Sequence, residues 1–263
     1  MALISMDGIA AAVKQAISLK KTASRTTVAN SWFSLFELAG SPGGGTLAGT
    51  STTTGTVPTD ATAGCPPINA ASGNFHIAAV DFGCTVACRL RIYDLLWKAG
   101  AYSFNASTSG QTPTSYSSRV PGGTDFNNLE IWVEQVTGAT GNQAVSVTYN
   151  NQAGTTGQST GAVGIGAAPT VGRMWQLPLQ SGDSGVQGVT GVAGTVASAG
   201  TFNILVLRPL WTGRINAANG GDTHGVDRVL LPQIWTDSAL IPIICPDSTS
   251  SGIVDLELMI AAG

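Results

Sequence analysis

Ile253–Ile260 reads IVDLELMI. Val254, Leu256, Leu258 and Ile260 share one face and Asp255 and Glu257 the other, which is the two-residue period of a strand. A strand with one apolar and one charged face belongs to an antiparallel sheet laid on a core. The same pattern recurs upstream. Leu129–Val136 (LEIWVEQV) places Leu129, Ile131 and Val133 on one side and Glu130 and Glu134 on the other. Cys88–Trp97 (CRLRIYDLLW) gathers Cys88, Leu90, Ile92, Asp94 and Leu96 on one face. Ala144–Tyr149 (AVSVTY) alternates and runs into Asn150-Asn151-Gln152-Ala153-Gly154, a turn signal.

Further strands are expected at Val28–Leu38, from Phe75 onward, and at Arg173–Leu179, 185–196 in pieces, Thr201–Leu207, Arg228–Trp235 and Leu240–Ile244. Val171-Gly172-Arg173 and the run Leu207-Arg208-Pro209-Leu210-Trp211 read as connections or edges, because Pro209 has no N–H for a ladder. No helix signals separate the strands, which excludes βαβ units. The expected fold is all-β: an antiparallel β-sandwich, jelly-roll-like, with a short N-terminal helix and a long Gly/Ser/Thr-rich arm.

That helix is expected over residues 7–21, where Ile9, Ala12, Val13, Ala16 and Ile17 recur at helical spacing. Lys14, Gln15, Ser18 and Lys21 fall on its other side; Asp7 at the start and Lys20-Lys21 at the end suit the helix dipole. Fifteen residues are marginal for a lone helix in water, so the apolar face must dock on this subunit or a neighbour. Residues 39–74 contain almost no large apolar side chain and read as a mobile loop, a linker, or an arm ordered by a partner. The expected division is therefore 1–38 for the N-terminal helix and strand, 39–74 for the arm and 75–263 for the main β-sandwich.

The whole chain has 263 residues, 12 Lys+Arg, 15 Asp+Glu, a net charge of −3 and only 10% charged residues. An ordinary soluble domain carries about 25%. So few basic residues argue against a nucleic-acid binder, which concentrates Lys and Arg on one face. The 43% hydrophobic share excludes a wholly disordered chain. The 34 glycines have no period of three, which excludes collagen. Asp7 and Lys14 interrupt any secretory h-region, so the expected place of synthesis is a reducing cytoplasm.

No motif carries an assignable chemistry. Gly182-Asp183-Ser184-Gly185 matches the nucleophile run of chymotrypsin-like proteases, but only His76 precedes it, and it sits in a strand pattern. A turn before a Val-rich strand explains the run equally well. The stretch from Asn219 to Asp227, which includes His224, has oxygen-rich side chains without the spacing or terminal Glu of an EF-hand, and reads as a polar loop. The Gly-rich run 161–166 lacks the strand–helix context of a nucleotide turn.

Cys84 and Cys88 read as one strand, about 13 Å apart and too far for a disulfide. With Cys65 and Cys245 they are expected as buried free thiols; a metal site or disulfide is the lesser alternative. Trp32, Trp97, Trp132, Trp175, Trp211 and Trp235 are expected in the core or at subunit contacts. Carbohydrate binding stays open for Trp211, near Arg208 and Arg214, with Trp97 as a second residue to vary in a glycan test. No catalytic, cofactor-binding or metal residue is assigned.

Three stretches carry a resemblance: NNLEIWVEQVTGATGNQAVSVTYNNQAGTTGQST, APTVGRMWQLPLQSGDSGVQGVTGV and AGTFNILVLRPLWTGRI. Short β segments alternating with Ala/Gly/Thr turns resemble the structural proteins of tailed-bacteriophage virions, over residues 120–263. The resemblance implies a β-rich, oligomeric, noncatalytic protein located in the virion and made in the bacterial host cytoplasm. The expected role is head decoration or cement, with further copies of itself (a trimer by analogy) and the major capsid protein as partners. No cofactor, nucleic acid or membrane is expected. A tail or fibre component with a carbohydrate site and a jelly-roll major capsid protein are the alternatives.

Overall fold

The computed structural model describes residues 6–69, 74–105, 108–165, 170–194 and 199–262. Residues 70–73 of the expected arm, 195–196 of an expected strand and Gly166 of the Gly-rich run lie outside them. Every strand pairing among the described residues is antiparallel. The chain is an all-β sandwich of the jelly-roll-like kind, built around a closed barrel.

The barrel runs Arg173–Leu177, Trp32–Ser34, Leu240–Pro246, Cys88–Ser103, Thr201–Ile215 and Glu130–Gln135, which returns to the first. One flanking sheet orders Val13–Ser18, Val254–Ala262, Phe75–Cys84 and Gly220–His224, with Gln233–Ile234 also on Phe75–Cys84. The other orders Gln158–Ser159, Gln143–Asn151, Val186–Gly194 and Thr108–Gly110, with Val163–Ile165 also on Gln143–Asn151. Three apolar clusters fill the layers. Leu256, Leu258 and Ile260 meet Leu90 and Ile92 between the first sheet and the barrel. Tyr93, Leu95, Trp132 and Leu205 fill the barrel. Ile204 and Val206 meet Val145 and Val147 against the other sheet.

The strand that decided the class behaves as its alternation requires: Val254, Leu256, Leu258 and Ile260 are buried and Asp255 is exposed. Cys88–Ser103 departs from simple alternation. It alternates through Ile92 and is then buried continuously from Tyr93 to Gly100. There one face lines the barrel and the other meets a flanking sheet, so neither face reaches water. Asp94, expected among the apolar side chains, is indeed buried.

Three expected elements are corrected. The helix over 7–21 is only Met6–Ala12; Val13–Ser18 is a strand paired with Val254–Ala262. The free edge of that strand offers unpaired backbone groups, and pairing them outweighs a weak helix propensity. Arg228–Trp235 is not one strand: Val226–Val229 is a helical turn, and only Gln233–Ile234 pairs. Pro209 lies inside the strand Thr201–Ile215, opposite Tyr93. Pairing with Glu130–Gln135 ends at Leu207, and a bulge follows Pro209. The missing N–H is therefore on a locally open edge.

The segment read as an arm is laid across the barrel. Thr56 and Lys98 exchange backbone hydrogen bonds of 2.8 and 2.9 Å. Gly49 N–H donates to Asn203 Oδ1 at 2.8 Å, and Asn203 Nδ2 donates to the Leu47 carbonyl at 2.7 Å. The Trp97 indole N–H donates to the Thr54 carbonyl at 3.0 Å. Gly55 has φ +63°, and a Cβ there would stand 2.3 Å from the Trp97 ring. A segment with few side chains lets the backbone lie close to the barrel, where its polar groups find partners.

Candidate functional site

The barrel wall and the 226–231 turn enclose a cleft of about 360 Å³. Its floor is a hydrogen-bonded row. Arg91 Nη1 donates to Tyr93 Oη at 2.9 Å, and the Tyr93 hydroxyl donates to Glu130 Oε2 at 2.9 Å. The Trp132 indole N–H donates to the same carboxylate oxygen at 2.7 Å. Burial, reinforced by the Glu130 charge, pushes the Tyr93 phenol above its ordinary pKa. The Arg91 guanidinium lies 4.6 Å from the Trp32 ring centroid, a cation–π contact.

Trp211 forms one wall. Its indole N–H donates to His224 Nδ1 at 3.0 Å, and its ring meets Phe82 edge-on at 4.7 Å. His224 thus braces a tryptophan. At the lip, Leu230 is 79% exposed. Leu230 and Leu231 both have left-handed backbone, with φ of 60° and 50°. Each such residue costs about 1–3 kcal/mol and persists only where its surroundings enforce it. The cleft has a guanidinium, a carboxylate and an aromatic wall, which suits a small polar group with an apolar side.

The Gly-Asp-Ser-Gly run forms a turn. Asp183 accepts from Tyr149 and Asn151, both at 2.7 Å, and the Ser184 hydroxyl donates to Asn127. His76 faces the Leu231 carbonyl at 2.9 Å. No histidine hydrogen-bonds to Ser184 among the described residues, so the structure does not bring a triad together. The expected polar loop at 219–227 is instead an edge strand, Gly220–His224, leading into the helical turn.

The tryptophans separate by environment. Trp97 is fully buried and cannot face a glycan, whereas Trp211 borders the cleft. Arg208 and Arg214, expected beside Trp211, point elsewhere. Arg208 lies under Trp235 and reaches Asp94 at 3.2 Å; Arg214 lines a separate cleft beside Cys88.

All four cysteines are free and buried. The single-strand reading of Cys84 and Cys88 is wrong, and its 13 Å separation falls with it. Cys84 ends one strand and Cys88 begins the next, across a corner of three residues.

The polar interior is what sequence reasoning missed. Asp94 Oδ2 accepts from Ser238 at 2.8 Å and from Arg208 at 3.2 Å. Oδ1 accepts from the Ala239 N–H at 2.9 Å and lies 3.5 Å from Arg119 Nη1. Arg119, also fully buried, donates to the Pro58, Asp237 and Leu95 carbonyls. A second pair, Lys98 and Glu134, lies 3.6 Å apart. The only sequence signal was an aspartate in register with apolar neighbours.

No protein-family model and no curated protein matches the chain. Two solved structures are similar at a low level. One is the subviral particle of infectious bursal disease virus VP2: 8% identity, 96% of this chain and 82% of that chain covered, TM-score 0.19. The other is the T=1 particle derived from infectious bursal virus: 6% identity, 96% and 75% covered, TM-score 0.12. Likeness at these TM-scores carries no argument about the fold or role of this chain.

Proposed function

We propose that the chain is a structural subunit of a virus particle, and within that class a decoration or cement protein of a tailed-phage head. The observation that carries the reading is where the charges sit. Only 10% of residues are charged, and Lys21, Asp94, Lys98, Arg119, Glu134 and Arg208 are buried. These six leave at most 21 of the 27 charged residues to the surface. Depletion of charge is the compositional mark of an interface core. Leu230, held out by strained backbone, fits a side chain meant to be covered by a neighbour. A subunit of this kind acts by buried area: about 1,600 Å² per contact makes a stable specific interface, repeated by symmetry over a shell.

The test has two parts. Light scattering after size exclusion should show an oligomer at micromolar concentration, and the protein should co-sediment with isolated phage heads. Leu230→Asp should weaken association and leave the β-sheet circular dichroism unchanged. A monomer that fails to bind heads overturns the proposal; closed shells formed without another protein would select the major-capsid alternative. The cleft beside Trp211 favours a second reading, a tail or fibre component with a carbohydrate site. Glycan-array binding that disappears in Trp211→Ala would select it.

A further inference from the structure

At one end of the barrel, three paired strands set a row of polar side chains next to one another. Arg89 is directly opposite Arg214 on one neighbouring strand and Cys245 on the other. Residues directly opposite share a face of the sheet, so the row reads Arg214, Arg89, Cys245. Arg89 Nη2 donates to Cys245 Sγ at 3.2 Å, and its guanidinium lies 5.7 Å from the Trp32 ring centroid. Arg91, two residues on and on the same face, lies over the same ring at 4.6 Å. Arg214 is exposed, and its side chain has no hydrogen bond or ion pair among the described residues. Like charges directly opposite repel, yet a chain with only 12 Lys+Arg sets two of them against each other here.

The row lines a cleft of about 100 Å³ that shares no residue with the cleft beside Trp211. Asn30 and Asn216 bring amides to it, and Asp247 brings its one carboxylate. Asn30 has left-handed backbone, φ 58°, and its N–H donates to the Pro246 carbonyl at 2.7 Å. The Asp247 N–H donates to the Ala87 carbonyl at 3.1 Å, which pins that residue beside the row. Asp247 makes no ion pair with either guanidinium among the described residues. Two guanidiniums against one carboxylate give the cleft a positive charge in a chain whose net charge is −3.

We propose that this cleft binds inorganic phosphate. Guanidinium forks match the geometry of a tetrahedral oxyanion and make short, charge-assisted hydrogen bonds to it. Arg89 and Arg214 donate to the bare phosphate oxygens, and the anion removes their mutual repulsion. A carboxylate can only accept, so Asp247 takes the hydrogen of the P–OH group. That residue sets the specificity. Inorganic phosphate keeps a proton throughout the neutral range. Sulfate has none, and a phosphate ester loses its own near pH 6, so both turn a bare oxygen toward Asp247 and are repelled. No bond is made or broken. The proposal is independent of the virion reading.

The test is isothermal titration calorimetry on the intact protein at about pH 8, where a phosphate monoester is a proton-free dianion. Ionic strength is held constant, because exposed charges are screened by salt. Inorganic phosphate should bind at one site per chain with a Kd of about 1 mM or tighter. Sulfate and methyl phosphate, titrated in parallel, should bind at least about tenfold more weakly; the methyl phosphate arm separates the free ion from a phosphoryl group carried by another molecule. Arg214→Gln should weaken phosphate binding about tenfold or more and leave the circular dichroism unchanged, since that side chain has no partner in the fold. Asp247→Asn should erase the preference for phosphate over sulfate. Lys20→Gln, which alters an exposed cation paired with Asp255 outside the cleft, should bind phosphate as the unmodified chain does. Absence of saturable phosphate binding overturns the proposal, as does sulfate or methyl phosphate binding the unmodified chain as tightly as phosphate, or an Arg214→Gln chain that binds phosphate unchanged.

Discussion

Asp94→Asn tests whether the buried charge cluster holds the barrel together. The substitution keeps the volume and removes one negative charge. Asp94 is fully buried and stands between two guanidinium groups, Arg208 at 3.2 Å and Arg119 at 3.5 Å. An asparagine oxygen can still accept from the Ala239 N–H. Its amide nitrogen, placed where Oδ2 stood, offers Arg208 a donor where it had an acceptor. Two buried cations are then left without a counter-charge. Removing one partner from a buried ionic group costs about 3–5 kcal/mol, because the remaining charges stay desolvated. Unfolding entropy of about 2.1 cal/mol/K per residue gives about 0.55 kcal/mol/K for this length. The expected fall in Tm is about 5–9 °C. Calorimetry or thermal circular dichroism reads it directly. Adding Arg208→Met to Asp94→Asn removes one stranded cation and should restore part of the loss, a non-additivity expected only of groups in contact. Asp255→Asn is the control, since Asp255 pairs with Lys20 at 2.7 Å with both side chains about half exposed. A screened surface pair contributes little. If Asp94→Asn lowers Tm no more than Asp255→Asn, the cluster is not what the barrel depends on.

Two further outcomes follow from buried groups. All four tyrosines, Tyr93, Tyr102, Tyr116 and Tyr149, are buried. Burial raises each phenol above its ordinary pKa of 10, Tyr149 to about 12 and the others further. A raised folded pKa means that the folded state holds its protons more tightly than the unfolded chain, so stability is complete below pH 10 and falls as pH rises above it. Absorbance at 295 nm should show no phenolate near pH 10, then a rise coincident with loss of near-UV circular dichroism. Phenols that titrate near pH 10 in a folded chain would contradict the burial. Gly55→Ala places a methyl group against the Trp97 ring at a left-handed position. It should lift the crossing segment and speed proteolytic cleavage within residues 46–58 several-fold; an unchanged cleavage rate would show that the contact does not anchor it.

The amino-acid sequence by itself determined the class of this fold. Alternation at Val254, Leu256, Leu258 and Ile260 is a local property: a strand whose side chains point alternately up and down buries one set against any core available. Buried thiols were legible from composition in the same way, as was a chain poor in charge. Tertiary structure decided what depends on distant partners. Val13–Ser18 carries apolar residues compatible with helix and strand periods, and the open edge of Val254–Ala262 selects the strand. Residues 39–69 contain no periodic signal, because their order comes from the barrel's polar groups and from the close approach of Gly55 to Trp97. Asp94 stood visibly among apolar neighbours, but its partners Arg119, Arg208 and Ser238 lie 25, 114 and 144 residues away in the chain. Cys84 and Cys88 were close in sequence and still misread, since the turn between them reverses the direction on which the 13 Å estimate depended. Local periodicity states which face is buried; only chain closure states against what.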